Sequence, residues 1–516
     1  MPIDAMHKEL LIRMSLFLGN KDRGQLGCTA KPFKNLDIEK ALCSESVTID
    51  HSFKNLDVEK SLCSESVTID HSLLMKIRCY HNEIMKIRAD ETSSSTTSSE
   101  QTDNHFDTGY YQSKKSKKTD TPNAEQQKTV SNTSAIKELS IANDSAIYFT
   151  DDDLIKLIKL GFIHEKTETI KLVNCTKITN LEPIKNCKAL IWLVLDYCNQ
   201  IDDSFLKTIP TLPLLKELDL EDCTQITDLS AFVNCTTLQG LHLGGCTQIR
   251  NTDTLTSLTK LKDLYLTNCP QVNNQFLRAI PTLPIIEILD LVKCTEITDI
   301  RALEHCTALT ELSLGGCYEI RDLGPLKSCT KLAFLKLDCL EITDLSPLKN
   351  CTALIELSLA GCCEIRDLEP LKSCKLLEKL DHNECHNIQH IEPLKNHARL
   401  RNLNMTRCNQ ISDLSPLKSC KELEELDLTG CYGIISLKPL EECTALRWLC
   451  LWGCDQIVDT KPLANCKRLT YLYLDGCNQI TDLSPFANHP SLSELTSPDG
   501  EEVDLTSLSD TQQLGP

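Results

Sequence analysis

The chain has 516 residues, of which 41% are hydrophobic and 25% charged, and a formal net charge of −19. That length exceeds one ordinary compact core and calls for several domains or one long array. The acidic balance argues against nucleic acid as a partner, because binding a phosphate backbone relies on Lys and Arg to release counterions. No apolar run approaches bilayer length, and Asp4, Glu9 and Arg13 interrupt the only early apolar stretch, so neither a membrane span nor a secretory signal is expected and the chain reads as cytoplasmic.

In chain order, residues 4–18 ("DAMHKELLIRMSLFL") form an expected helix with Leu10, Leu11, Met14 and Leu18 on one face and Gly19 as its stop. Across residues 6–36, Glu9, Leu10, Leu11, Met14, Phe17, Leu18, Asp22, Leu26, Lys31 and Phe33 stand where an F-box carries its characteristic residues. The stretch resembles an F-box, although Met6-His7 replace the usual Leu-Pro opening, Arg23-Gly24 replace apolar residues, and Pro32 interrupts a closing helix. The resemblance implies that Leu10, Leu11, Met14, Leu18 and Leu26 contact a ubiquitin-ligase adaptor. Without it, residues 1–36 are a small helical hairpin with no adaptor partner.

"FKNLDIEKALCSESVTIDHS" at 33–52 returns as "FKNLDVEKSLCSESVTIDHS" at 53–72, a tandem copy that makes 37–89 a spacer or an added helix-strand unit. Residues 90–145, rich in Ser, Thr, Lys, Asp and Gln, lack the apolar content for a core and are expected to be a disordered linker. "KKSKK" at 114–118 reads as a solvated charge run, with nuclear import as the alternative. Over 146–166, Thr150 and Asp153 have capping-box spacing before "LIKLIKLGF", Gly161 can close the helix, and the segment is expected to cover the open end of the repeats that begin near residue 167.

From 167 to 491 the chain repeats L-x-x-L-x-L-x-x-C-x-x-I-x-D-L-x-P-L-x-x-C, with units beginning near 167, 190, 215, 238, 261, 286, 309, 332, 354, 377, 400, 423, 446 and 469. This is the leucine-rich-repeat pattern, which gives the fold class: an α/β solenoid of about 14 repeats, one short strand and one return segment per unit. Leu312 and Leu314 mark a strand and point inward, and Ile320, Leu323 and Leu326 fill the interior from the return side. Pro325 suits the first turn of a short or 3₁₀ helix, and Ser346 before Pro347 is a candidate cap. Residues 190–260 and 261–331 share their spacing, and "IPTLPLLKELDL" is echoed by "IPTLPIIEILDL", the mark of a duplicated three-repeat block. Residues 492–516 are expected to form a degraded terminal repeat and a tail.

Of the 29 cysteines, one stands where each repeat leaves its strand, from Cys175 to Cys477, and a later one, such as Cys329, Cys351 or Cys420, recurs in nine repeats. A small thiol can pack inward there and donate to a carbonyl that the bend exposes. Neighbours would lie about 5 Å apart, the spacing of adjacent strands, but parallel stacking points them the same way and disfavours disulfide geometry. Structural thiols are therefore expected, rather than redox or metal sites.

Residues between and beside the strand leucines face outward on the strand side, the expected partner surface. There fall Trp192, Trp448 and Trp452, with Tyr471 and Tyr473 on the next strand, and two acidic groups: Glu425, Asp427 and Asp475; Glu217, Asp219, Glu221 and Asp222. Such aromatics are typical interface anchors, and the composition implies a partner with apolar and basic groups; alternatively the aromatics shield the end of the array. In "LDHNECHNIQHIEPLKNH" (380–397), His382 falls at a core leucine position while His386 and His390 turn outward, so no metal site is expected. No nucleophile elbow, phosphate-binding Gly-rich loop or H-E-x-x-H occurs, so neither an enzyme nor a cofactor is expected.

The array also resembles the cysteine-containing repeats of F-box proteins through "C-x-x-I-T-D-L" steps such as Cys223 to Leu229 and Cys477 to Leu483, and the "D-L-S-P-L" repeats of internalin-like and protozoan proteins. The first resemblance implies a substrate receptor of a cullin-RING (SCF-type) ubiquitin ligase, bound to an adaptor and a substrate protein. The alternative is a recognition scaffold, adhesin or effector that grips a partner without an adaptor, or a regulator that blocks a partner's active site.

Overall fold

The computed structural model describes residues 66–69, 74, 78, 136–141, 143–283, 285–338 and 341–510. The F-box-like positions Leu10, Leu11, Met14, Leu18 and Leu26 lie outside the described residues, as does the Lys114–Lys118 run. The chain divides into two compact units, residues 1–200 with 211–215, and residues 201–210 with 216–516. No helix among the described residues is long and apolar enough to cross a membrane.

In the first unit, β1 (Ser66–Ile69), β2 (Glu138–Ile141), β3 (Thr169–Lys171) and β4 (Trp192–Val194) pair side by side and parallel. β1 comes from the second copy of the duplicated segment. β2 lies inside the stretch 90–145 that composition assigned to a linker, and corrects it: "ELSI" buries Leu139 and Ile141 and leaves Glu138 and Ser140 half-buried. An alternation four residues long disappears when polarity is averaged over fifty.

Helix α1 (Asn143–Ala146) and helix α2 (Asp151–Lys159) come next in the chain. The Thr150 N–H and hydroxyl both donate to Asp153 Oδ2, at 3.0 and 2.8 Å, and Gly161 leaves the helix at φ +80°. Arg78 grips the same carboxylate through Nε and Nη2, at 2.9 and 2.6 Å. Burial opposes the Asp153 charge, yet the Arg78 and Thr150 hydrogen bonds hold its carboxyl below the ordinary range. Because β2 and β3 are neighbours, α2 is the crossover between two strands and not the lid over an open end that its sequence position suggested.

In the second unit the strands have three residues each: β5 (Glu217–Asp219), β6 (Gly240–His242), β7 (Asp263–Tyr265), β8 (Ile288–Asp290), β9 (Glu311–Ser313), β10 (Phe334–Lys336), β11 (Glu356–Ser358), β12 (Lys379–Asp381), β13 (Asn402–Asn404), β14 (Glu425–Asp427), β15 (Trp448–Cys450), β16 (Tyr471–Tyr473) and β17 (Glu494–Thr496). Each pairs in parallel register with the next. The central leucine of every one, from Leu218 to Leu495, is buried. The first and third residues therefore form two outward rows, one place per repeat.

The returns are 3₁₀ segments such as Gly324–Ser328, Ser346–Asn350 and Ser415–Ser419, each with proline in its first turn. Ser346 is not the cap expected of it. Asp344 fills that role, taking the Ser346 N–H and hydroxyl on its two oxygens, both at 2.7 Å. Asp413 does the same for Ser415, which explains the aspartate of each "D-L-S-P-L" step. After β17 the chain folds back, with the Val503 N–H on the Leu495 carbonyl at 2.8 Å, and ends its described part in α3 (Leu505–Asp510).

Most of the strand-exit thiols reach the carbonyl of the inward residue that closes the strand of the preceding repeat, whereas Cys175 turns to its own repeat's Val173 carbonyl. Cys246 donates to Leu220 at 3.2 Å, Cys269 to Leu243 at 3.1 Å, Cys294 to Leu266 at 3.1 Å, Cys431 to Met405 at 3.0 Å and Cys454 to Leu428 at 3.1 Å. Burial pushes the thiols of Cys269, Cys294 and Cys431 up to about 12, so they stay protonated and keep their donor. The described cysteines are free thiols. The residue before the ladder cysteine carries the bend in the left-handed region: Gly453 at φ +75° and Gly476 at φ +74°, but also Lys293 and Arg407 at φ +59°. A Cβ on Gly476 would lie 3.2 Å from the Gly453 Cα, so the "GGC" glycine serves both conformation and stacking.

Cys431→Ala removes the thiol donor to Met405, whose buried carbonyl keeps only the Cys408 N–H at 3.0 Å. It is expected to cost about 1–3 kcal/mol, read as a lower denaturant midpoint, with Cys431→Ser, which keeps a donor, losing less.

Candidate protein-binding surface

The outward rows of the second unit carry the chemistry. On β14 to β17 the first row reads Glu425, Trp448, Tyr471, Glu494 and the other reads Asp427, Cys450, Tyr473, Thr496. Trp448 and Tyr473, diagonal neighbours on adjacent strands, approach to 5.9 Å between ring centroids with 59° between planes. Tyr471 beside them is 39% exposed. A shallow depression of about 510 Å³ runs from Glu311 and Phe334 across β10 to β14, and Asp427, Glu425 and Trp448 line its far end.

The residues expected to share this surface divide. Trp448, Tyr471, Tyr473, Glu425 and Asp427 come together as the repeat predicts. Trp452 and Asp475 do not stand in the strand rows: both occupy the turn that leaves the strand. Trp452, 61% exposed, lies on that ridge, where a Cβ on Gly476 would meet its Cδ1 at 3.8 Å. The inward-outward alternation that placed it beside Trp448 ends with the strand at Cys450, two residues before Trp452. Trp192 belongs to the first unit, where the Lys171 ammonium sits 4.5 Å above its ring.

At the other end of the second unit, Glu217 and Asp219 lie in the strand rows, while Glu221 and Asp222 lie in the turn. The Glu217 carboxylate reaches over Gly240, where a Cβ would collide with it. Burial, and then the charges of Asp263 and Asp219, push the Glu217 carboxyl up to about 6. His242 Nδ1 is 3.5 Å from Asp219 Oδ1, and its ring stacks on Tyr265 at 4.2 Å. Asp263, His242, Tyr265 and Phe334 were missed in the sequence because outward residues were chosen by type and not by position. Once the strand leucines are aligned, each of them occupies the same outward places as Trp448 and Tyr473.

His382 takes the inward place of a leucine and is fully buried. The Cys408 thiol donates to the His382 carbonyl at 3.2 Å, and Nδ1 lies 3.2 Å from the same sulfur. His382 Nε2 is buried with no hydrogen-bond partner. His386 is exposed and bonds the Arg407 carbonyl, so the two rings do not converge. Among the described residues no group of three or more His, Cys, Asp or Glu could hold a metal ion.

Residues 398–442 and 444–488 each match the family model "Leucine Rich repeats (2 copies)", and the chain carries leucine-rich repeats. No curated protein matches it. Among solved structures, the internalin InlF of Listeria monocytogenes is 27% identical, with a TM-score of 0.44 over 60% of this chain and 81% of that one. A leucine-rich-repeat protein of Leptospira interrogans is 19% identical, with a TM-score of 0.45 over 60% and 90%. The functional domain of InlJ from L. monocytogenes, described as including a cysteine ladder, is 17% identical, with a TM-score of 0.39 over 65% and 70%.

His382→Leu restores the consensus and removes the orphaned nitrogen, with an expected gain of about 1–3 kcal/mol. Burial lowers the His382 pKa to about 4 from 6.5. Between those values the unfolded chain binds a proton that the folded one refuses, so stability falls as pH drops from 6.5 to 4. The variant's unfolding free energy should show a correspondingly weaker slope in that window. For Glu217 the shift is opposite, and Asp263→Asn is expected to move its carboxyl titration back toward the ordinary value, followed by NMR.

Proposed function

We propose that this chain is a non-enzymatic protein-recognition module that holds its partner on the outward strand face of the second unit. The observation that carries the reading is the cluster of exposed Tyr471 with half-buried Trp448 and Tyr473 on a parallel sheet face whose other side is closed by leucines and thiols. Large amphipathic rings in a row of otherwise short or charged residues are typical anchors of a protein interface, and the aspartates and glutamates beside them favour a basic partner.

The narrower reading is that the module is the substrate-recognition subunit of a cullin-RING ubiquitin ligase. Leu10, Leu11, Met14, Leu18 and Leu26 would dock on the adaptor while the strand face holds the protein to be modified, and the ligase would supply the chemistry. The F-box resemblance supports it. A scaffold, adhesin or effector would use the same face and lack the adaptor step.

Purified full chain incubated with a purified ubiquitin-ligase adaptor separates these readings. Recovery of the adaptor by the parent chain, lost in Leu11→Asp and Leu18→Asp, is expected of the ligase subunit, and no recovery by the parent removes that role. For any partner identified by crosslinking at position 448, Trp448→Ala is expected to weaken binding by about 2 kcal/mol or more, roughly 30-fold. Lys418→Ala, on a 3₁₀ return, should leave it unchanged.

A further inference from the structure

The Trp448 and Tyr473 rings, 5.9 Å apart and tilted by 59°, form a half-buried wedge on the strand face, with the Tyr473 hydroxyl hydrogen-bonded to Trp448 and Glu494. Carboxylates border it on both sides. Glu425 pairs with Trp448 on the neighbouring strand, and Glu494 pairs with Tyr471 on the other. Asp427 accepts the Thr429 N–H at 2.9 Å, and Asn402 donates to Glu425. Neutral groups satisfy these oxygens only in part. Elsewhere on the unit, acidic side chains meet cations: Glu356 meets Lys379 at 3.1 Å, Glu287 meets Lys262 at 2.7 Å, and Glu424 meets Arg401 at 2.7 Å. Among the described residues, Glu425, Asp427 and Glu494 have no such ion pair. Two aromatic faces flanked by carboxylates without a cation are complementary to a flat cation from outside the chain.

We infer that the wedge is the seat of an arginine side chain of the protein partner, its guanidinium stacked on Trp448 and Tyr473 and its edge turned to Asp427 and Glu425. The inference rests on the protein-binding reading and narrows it to one anchor. A guanidinium is planar and weakly hydrated, so it stacks on an indole while its N–H fork engages a carboxylate, whereas an ammonium is a compact, strongly hydrated point charge that does one or the other. The row order gives both contacts to one group, because ring and carboxylate stand on adjacent strands about 5 Å apart.

The chain has three tryptophans, so a parent carrying Trp192→Phe and Trp452→Phe reports from Trp448 alone. Its indole fluorescence is titrated at low salt with Nα-acetyl-arginine amide, Nα-acetyl-lysine amide and Nα-acetyl-citrulline amide, the last having the shape of arginine without its charge. Expected is saturable quenching by the arginine derivative, about tenfold tighter than by citrulline and tighter than by lysine. Asp427→Asn and Tyr473→Leu, checked for unchanged melting, should each weaken it several-fold. Equal response to citrulline, lysine binding as well as arginine, or undiminished binding by both variants overturns the seat. A flat titration alongside partner binding still lost in Trp448→Ala overturns the arginine seat and leaves the protein-binding reading standing. Saturable arginine binding alongside partner binding that ignores Trp448→Ala overturns that reading and leaves the seat.

Discussion

The thiol-to-carbonyl bond between successive repeats is the constraint on which the second unit depends. A parallel strand of three residues has little ladder of its own, and the backbone must turn sharply out of it through a left-handed residue such as Gly453 or Arg407. The carbonyl at that bend accepts the N–H of its own repeat's cysteine, as Met405 does from Cys408 at 3.0 Å, and its second lone pair faces the next repeat. The cysteine one repeat on donates to it, and burial, by raising the thiol pKa, keeps the proton in place. Sulfur is thus used for its size and its hydrogen rather than its reactivity. A weak donor suffices for a second lone pair that buried neighbours would otherwise leave bare.

A second row of cysteines closes the 3₁₀ returns in the same manner, with Cys351 on the Leu326 carbonyl and Cys443 on the Leu417 carbonyl at 3.5 and 3.4 Å. His397 stands in for one of them and spans the Leu371 and Leu394 carbonyls at 3.1 and 3.0 Å. Inward positions are therefore held by packing and by carbonyl partners, and outward positions are free to vary. That separation lets one face carry Glu, Asp, Trp and Tyr in succession without disturbing the core.

The strands, the returns and the ladder were legible in the sequence because the 23-residue step fixes both phase and face: Leu312 and Leu326 could be placed from the spacing alone. What escaped did so for physical reasons. β2 is too short to alter local composition. Trp452 follows the strand parity on paper, but the strand ends at Cys450 and Trp452 already stands in the turn. The cap at Asp344 was hidden behind the more familiar serine, and Asp263, His242 and Phe334 were passed over although their places in the repeat were known.

The in-register pairing also makes the outward face a graduated scale. Homologous side chains advance by one strand spacing per repeat, so Phe334 on β10 and Trp448 on β15, five steps apart, are set about 24 Å from each other. An extended segment reaching from one ring to the other needs about seven residues. Adding or deleting a whole repeat between them would change that reach by a fixed increment while leaving each anchor's own surroundings intact. The separation of two outward side chains is in this way set by the number of repeats between them rather than by the residues within those repeats.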